Sequence, residues 1–126
     1  MNPRIPRIPR RHRRENRDVN FDVVDGILVR TVTFPDGDDR RGYTHRCTRE
    51  VYERVAHAVE ESGDQGATLE SIAEAEDAPF SQVNVALEFI RERGCVVTRH
   101  RRTYPASKAT FEHAMCEFTF LAELPY

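Results

Sequence analysis

The sequence of 126 residues contains few cysteines, and they are not arranged for a disulfide framework or a zinc site. Cys47, Cys95 and Cys116 are odd in number, far apart and in no C-x-x-C pair, so a reducing cell interior is the simpler interpretation. His45 and Cys47 would share one face of a strand, but two ligands are too few for a closed site. We expect no metal and no cofactor. A metal- or redox-responsive protein that uses these residues or Cys95 is a weaker alternative.

The sequence also lacks the usual signs of a membrane protein, a secreted protein and an enzyme. No apolar run approaches the roughly 20 residues that cross a bilayer, and the basic N-terminus lacks the apolar segment of a signal peptide. The loop GDQG at 63–66 lacks the Lys-Ser/Thr pair of a phosphate-binding loop. The five histidines are scattered, and a lone cysteine with a distant histidine is a weak sign of a nucleophile. We therefore expect a cytoplasmic protein that is not an enzyme and has no membrane contact.

Charge is distributed unevenly along the chain. Residues 1–17 contain seven arginines and one acidic residue, a formal charge of +6, whereas residues 18–126 contain 12 basic and 20 acidic residues, a formal charge of −8. Proline and repeated like charge oppose a packed core, so residues 1–20 are predicted to be a disordered, Arg/Pro-rich arm. Such an arm can follow a nucleic-acid backbone or a minor groove. The alternatives are a solubilising terminus and an arm that folds onto the acidic body.

Residues 21–47 have the pattern of a β-hairpin. The segment GILVRTVTF is rich in β-branched residues, PDGDD is a turn signal, and RRGYTHRCT can return as a second strand. This extension either enlarges the sheet that follows it or covers one face of the helices, and the pattern does not decide between the two.

Residues 48–106 contain three helical patterns followed by a strand. Thr48 and Thr68 are positioned to cap the first two helices, and Pro79 interrupts the helical pattern after the second helix. Ser81 offers a cap to the third helix, and Gly94 is suited to end it in the left-handed conformation. Two helices joined by a tight turn form a helix-turn-helix.

The run from Ile72 to Val96, IAEAEDAPFSQVNVALEFIRERGCV, resembles the winged helix-turn-helix domains of the broad bacterial transcriptional-regulator type. Their pattern has an apolar-Ala-Glu start and a turn, then Ser-x-Val-x-x-Ala-Leu, an apolar residue, and Arg-Gly before an apolar strand. The resemblance covers residues 48–104 and implies an α+β domain with a three-helix core plus a β-wing. We accordingly predict a winged helix-turn-helix domain over 48–106, with an N-terminal β-hairpin over 21–47 and a C-terminal helix over 107–126.

The resemblance also implies a function, that of a small transcriptional regulator bound to double-stranded DNA and hence to the nucleoid. Residues 80–88 would be the recognition helix in the major groove. Its outward-facing side chains are expected to contact base edges: Ser81, Gln82, Asn84 and Val85. Residues 97–104 would be a basic wing that holds phosphates through Arg99, Arg101 and Arg102. The arm would add backbone contacts from Arg10, Arg11, Arg13 and Arg14.

The predicted recognition helix departs from the family in its charge. Regulators often carry Arg or Lys there, whereas this helix has neither before Arg91, and Glu88 would repel phosphates. Phosphate attraction would then have to come from the wing and the arm. A winged helix that binds protein would present a similar helix face, so a protein–protein interaction module with no direct DNA role is the alternative.

The last segment, 107–126, is predicted to be a helix with an unusually wide apolar surface. Its main stripe is Phe111, Ala114, Met115, Phe118, Leu121 and Ala122. Phe120 and Leu124 lie off that stripe, and such a helix is normally buried on more than one side. Packing against the same helix of a second subunit would achieve this, so a homodimer through 107–126 is the preferred prediction. The alternative is that the N-terminal hairpin covers the helix within one chain.

Overall fold

The computed structural model describes residues 17–35 and 41–124, which form two antiparallel sheets and four α-helices. The first sheet, called the N-terminal sheet, has the strand order β1 (Asp18–Val24), β2 (Ile27–Thr33) and β3 (Tyr43–Cys47). It is followed by helices α1 (Arg49–Ser62), α2 (Leu69–Glu76) and α3 (Phe80–Glu92). A hairpin of β4 (Val96–Arg99) and β5 (Arg102–Pro105) then leads to helix α4 (Thr110–Ala122). The predicted α+β class is confirmed.

The N-terminal extension has one strand more than the predicted hairpin. Asp25 and Gly26 have positive φ angles of 54° and 78° and turn the chain between β1 and β2, which pair over their full length. Asp-Gly is a strong hairpin signal, because both central residues of such a turn need positive φ. Strand β1 starts at Asp18, so the last three residues of the predicted arm lie in this sheet. The described ranges leave out residues 1–16 and also residues 36–40, which include most of the predicted PDGDD turn.

Local capping explains where the helices begin. The Thr48 hydroxyl accepts a hydrogen bond from the Val51 amide at 3.2 Å. Thr68 and Ser71 form a reciprocal capping box at the start of α2. The prediction for α3 was wrong, since its N-cap is Pro79 and no side chain caps it. A proline there has its φ fixed near the helical value, at −64°, so the chain enters the helix without help from Ser81.

The core lies where the helices meet the N-terminal sheet. Val55, Ile72 and Ile90 fill the centre of the three-helix unit. The inward face of the sheet adds Leu28 at full burial and Phe21, whose ring lies 5.2 Å from that of Phe89. The sheet therefore covers one side of α3 and does not extend the β4–β5 hairpin.

Helix α4 packs between α1 and β1. The Tyr52 hydroxyl donates a hydrogen bond to the Ala114 carbonyl at 2.6 Å, and the Tyr52 and Phe118 rings are 5.0 Å apart. Burial raises the pKa of Tyr52 far above its usual value, which keeps this donor protonated. Phe120 is 58% exposed and Leu124 is 38% exposed, so the N-terminal strands cover only part of the apolar surface. In the described ranges, no helix combines the length and apolar character needed to cross a bilayer.

The β4–β5 hairpin is fixed to the helices by a short bridge. The Ala67 and Thr103 backbones exchange two hydrogen bonds of 2.8 Å, just before α2 begins. Gly66 precedes this bridge with φ of +71°, and a Cβ there would lie 2.7 Å from the Tyr104 ring. The close approach of loop and hairpin therefore depends on a glycine at this position.

Gly66→Ala is expected to lower the free energy of unfolding by about 3 kcal/mol, because a strained positive φ adds to overpacking against Tyr104. Gly94→Ala is the matched control, since Gly94 has φ of +78° with nothing within 4 Å of a new Cβ. It should cost about 1 kcal/mol. Urea unfolding measures both, and equal losses would contradict the importance of the contact with the hairpin.

Candidate functional site

Helix α3 is buried on two sides, and this corrects one predicted contact residue. Val83, Ala86 and Ile90 face the helical core, while Phe89 faces the N-terminal sheet through Phe21. Val85, one turn before Phe89, is fully buried as well. It was predicted to face outward towards a thymine methyl, but the sheet covers that side of the helix. The side chains left accessible are Phe80, Ser81, Asn84, Arg91 and Glu92, with Gln82, Leu87 and Glu88 partly buried.

Arg30 connects the N-terminal sheet to this accessible stripe. It lies in the centre of the inward face of β2, between Phe21 and His45 on the neighbouring strands, and is 6% exposed. Its Nη1 donates to Asn84 Oδ1 and to Glu88 Oε1, both at 2.7 Å. Its Nη2 is 3.0 Å from His45 Nδ1. A buried guanidinium needs a counterion, and Glu88 provides it.

The predicted repulsion of phosphate by Glu88 is offset within the chain. Arg17 Nη2 lies 3.4 Å from Glu88 Oε2, while Arg30 binds the other carboxylate oxygen. The Glu88 side chain is 16% exposed. Two arginines thus face one carboxylate, so this part of α3 carries no excess negative charge.

The two amide side chains predicted to read bases are both engaged inside the protein. Gln82 Oε1 accepts a hydrogen bond of 3.0 Å from the Thr48 amide, which ties α3 to the start of α1. Asn84 Oδ1 is bound by Arg30, although the residue remains exposed and its Nδ2 has no partner in the described part of the chain. Bidentate pairing with adenine needs the amide oxygen and nitrogen together. In each residue one of the two lone pairs of the amide oxygen is therefore already occupied inside the protein.

The predicted wing arginines lie on different sides of the β4–β5 hairpin. Cross-strand pairing places Thr98 with Thr103 on one face and Arg99 with Arg102 on the other. The Arg99 guanidinium lies 4.6 Å from the centre of the Tyr104 ring. Arg102 Nε donates to the Gln65 carbonyl at 3.0 Å. Of the three predicted arginines, Arg101 alone shares a cavity with α3.

That cavity is a groove of about 820 Å³, called the central groove here. Its floor is α3, one wall is the N-terminal sheet and the other is the β4–β5 hairpin. Four arginines and one glutamate line it, together with two leucines and four neutral polar residues: Arg17, Arg30, Arg91, Arg101, Glu88, Leu69, Leu87, Tyr43, Asn84, Thr98 and Thr103. The Arg91 and Arg101 side chains are exposed and form no ion pair within residues 17–35 and 41–124. They are free to bind an anion.

The basic arm joins the described chain beside this groove. Arg17 lines the groove and directly follows the Arg/Pro-rich segment in the sequence. The predicted arm contacts themselves lie outside the described residues: Arg10, Arg11, Arg13 and Arg14. Arg17, Arg30 and Tyr43 were missed by the sequence analysis. For Arg30 a signal existed, because it alternates with Leu28 and Val32 on the apolar face of a strand.

Both thiols that were named for the metal- or redox-responsive alternative are inaccessible. Cys47 and Cys95 are buried, and burial raises their pKa to about 12 and about 11. Among the described residues, no group of three or more His, Cys, Asp or Glu is placed to hold a metal ion. The Cys116 thiol is exposed on α4.

Comparison of the chain with protein-family models, with curated proteins and with solved structures gave no match. The interpretation of the site therefore depends on its own geometry.

Glu88→Ala is expected to lower the free energy of unfolding by about 3 kcal/mol, because Arg30 would remain buried without its main counterion. Glu53→Ala is the control, since Glu53 pairs with Arg49 at the surface and its loss should cost at most about 0.5 kcal/mol. The double substitution Arg30→Met with Glu88→Leu should recover much of the loss, because apolar residues can replace a buried pair. Equal effects of the two single alanine variants in urea unfolding would refute this account.

Iodoacetamide should modify one thiol of the native protein and three after unfolding. The reactive species is the thiolate, and burial disfavours it at Cys47 and Cys95. Intact-mass spectrometry counts the adducts, and peptide mapping should place the native adduct on Cys116. Rapid native labelling of a second thiol would show that the core opens more easily than its packing indicates.

Proposed function

We propose that this chain is a DNA-binding protein of winged helix-turn-helix type, with the central groove as its contact surface. The order of three helices and a β-hairpin, joined through the Ala67–Thr103 bridge, supports the winged-helix part of the proposal. The resemblance of Ile72–Val96 to bacterial regulators makes transcription regulation the corresponding cellular role.

The observation that carries the proposal is that two arginines of the groove form no ion pair with any other described residue. Arg91 extends from the floor and Arg101 from the hairpin, and both are exposed. The single carboxylate between the walls is already neutralised by Arg17 and Arg30. Residues 18–126 as a whole carry a formal charge of −8, so the groove attracts phosphates locally on an otherwise acidic body.

The contacts proposed for this surface differ from those that the sequence indicated. Arg91 and Arg101 would bind phosphates, and the arm would add further positive charge next to Arg17. Ser81 and the Asn84 amide nitrogen remain for contacts with bases, while Gln82 and Val85 do not. With so few donors available, binding should show little sequence preference.

A protein-binding function is the second candidate, and one side chain favours it. Phe80 is 56% exposed at the start of α3, and aromatic side chains are enriched where proteins contact one another. Phe120 and Leu124 similarly support the proposed homodimer through 107–126. Light scattering of the full chain, with Phe120→Ser as the variant, measures that association.

Arg91→Gln and Arg101→Gln should each weaken binding of a labelled oligonucleotide several-fold. Each should also reduce the slope of log K against log salt by about 0.7–0.9, because one phosphate contact is lost. Fluorescence anisotropy over a salt series, with the full chain, measures both quantities.

Arg99→Gln is the matched control, because it removes the same charge from the other face of the same hairpin. It should leave affinity and slope nearly unchanged. If all three variants bind like the unmodified protein, or if Arg99→Gln is as harmful as Arg101→Gln, the central groove is not the interface.

A further inference from the structure

The central groove is concave, and this restricts the form of nucleic acid that can enter it. An α-helix with its side chains is about 10–12 Å wide, which already fills a major groove of about 12 Å. A recognition helix must therefore project beyond its surroundings. Here Arg30 reaches across from the N-terminal sheet to within 2.7 Å of Asn84 and Glu88, and Arg101 stands on the opposite wall. The middle of α3 is a floor between two walls.

An aromatic side chain stands beside the basic residues of this groove. Tyr43 lines the wall formed by the N-terminal sheet and is 40% exposed. Its ring makes an edge contact with the His45 ring at 5.1 Å, and its hydroxyl is 3.4 Å from Arg17 Nη1. These contacts hold the ring in place while leaving part of its surface open. Leu69 and Leu87 add apolar surface to the floor.

An electropositive groove with an aromatic platform is the arrangement that binds single strands, since every base has a face that can stack. A single strand is narrower than a duplex, and the phosphates of a strand in the groove would lie near arginines of both walls. We infer that the central groove takes a single-stranded segment of nucleic acid, with a base on Tyr43 and phosphates on Arg17, Arg91 and Arg101. This inference rests on the proposed function and narrows it.

The test compares four probes with the full chain at one stated salt concentration. They are labelled oligothymidylate, oligouridylate of equal length, a blunt DNA duplex of the same length, and a polyglutamate peptide. We expect one or both single strands to bind about tenfold more tightly than the duplex, and the two strands together report whether the sugar matters. The peptide carries similar charge without bases and should bind weakly.

Three variants locate the strand. Tyr43→Leu should weaken single-strand binding about tenfold because stacking is lost, whereas Tyr43→Phe should retain it. Arg99→Gln removes a positive charge from the hairpin face turned away from the groove, and should leave single-strand binding unchanged. Circular dichroism checks that each variant is folded. If Tyr43→Leu is not, the probe comparison still decides the question.

The outcomes separate the two proposals. If the duplex binds more tightly than either strand, the single-strand inference is wrong while the proposed function stands, and loss of duplex binding in Ser81→Glu would locate the duplex at the start of α3. If no nucleic acid binds, or if polyglutamate competes as well as the strands, the proposed function fails together with the inference.

Discussion

The arrangement of this protein depends on one buried arginine. Arg30 occupies the centre of a mostly apolar sheet face, where an unpaired guanidinium would be costly, so the sheet must dock where a carboxylate is available. Glu88 supplies it from the middle of α3. The same contact engages the Asn84 oxygen, removes a negative charge from the accessible stripe and places a wall beside the helix. A single ion pair thus sets the packing, the electrostatics and the shape of the central groove.

The features most readily predicted from the sequence are those that depend on neighbouring residues in the chain, such as helix starts and turns. Thr48 and Thr68 cap their helices through side chains three residues from the amides that they bind, and these starting points could be read directly. Strand β1 could also have been predicted, because Asp25-Gly26 is a local turn signal. Fold class follows from such signals. The winged-helix assignment itself rests on the resemblance and on the order of elements.

The candidate site was harder to predict because it depends on distant parts of the chain. Which side of α3 stays open is decided by a sheet more than 30 residues earlier, so Val85 could not be recognised as buried from the pattern of the helix alone. The direction of Arg99 and Arg102 depends on the register of a hairpin whose turn residues, His100 and Arg101, both have positive φ. The number of arginines in residues 97–104 indicated a basic hairpin, but not the face on which each arginine lies. The arginines predicted to act together at the wing are in fact divided between two faces of the hairpin.

The backbone bridge between Ala67 and Thr103 makes the two sides of the central groove mechanically unequal. It joins the hairpin wall to the start of α2, which also carries Leu69 of the floor, so these parts must move as one rigid unit. On the opposite side, the groove-facing contacts between wall and floor are side-chain ion pairs and hydrogen bonds of Arg17 and Arg30. Because the bridge is made of backbone atoms, side-chain substitutions in the groove leave it intact, whereas they can remove the groove-facing contacts of a sheet that the apolar core still holds on α3.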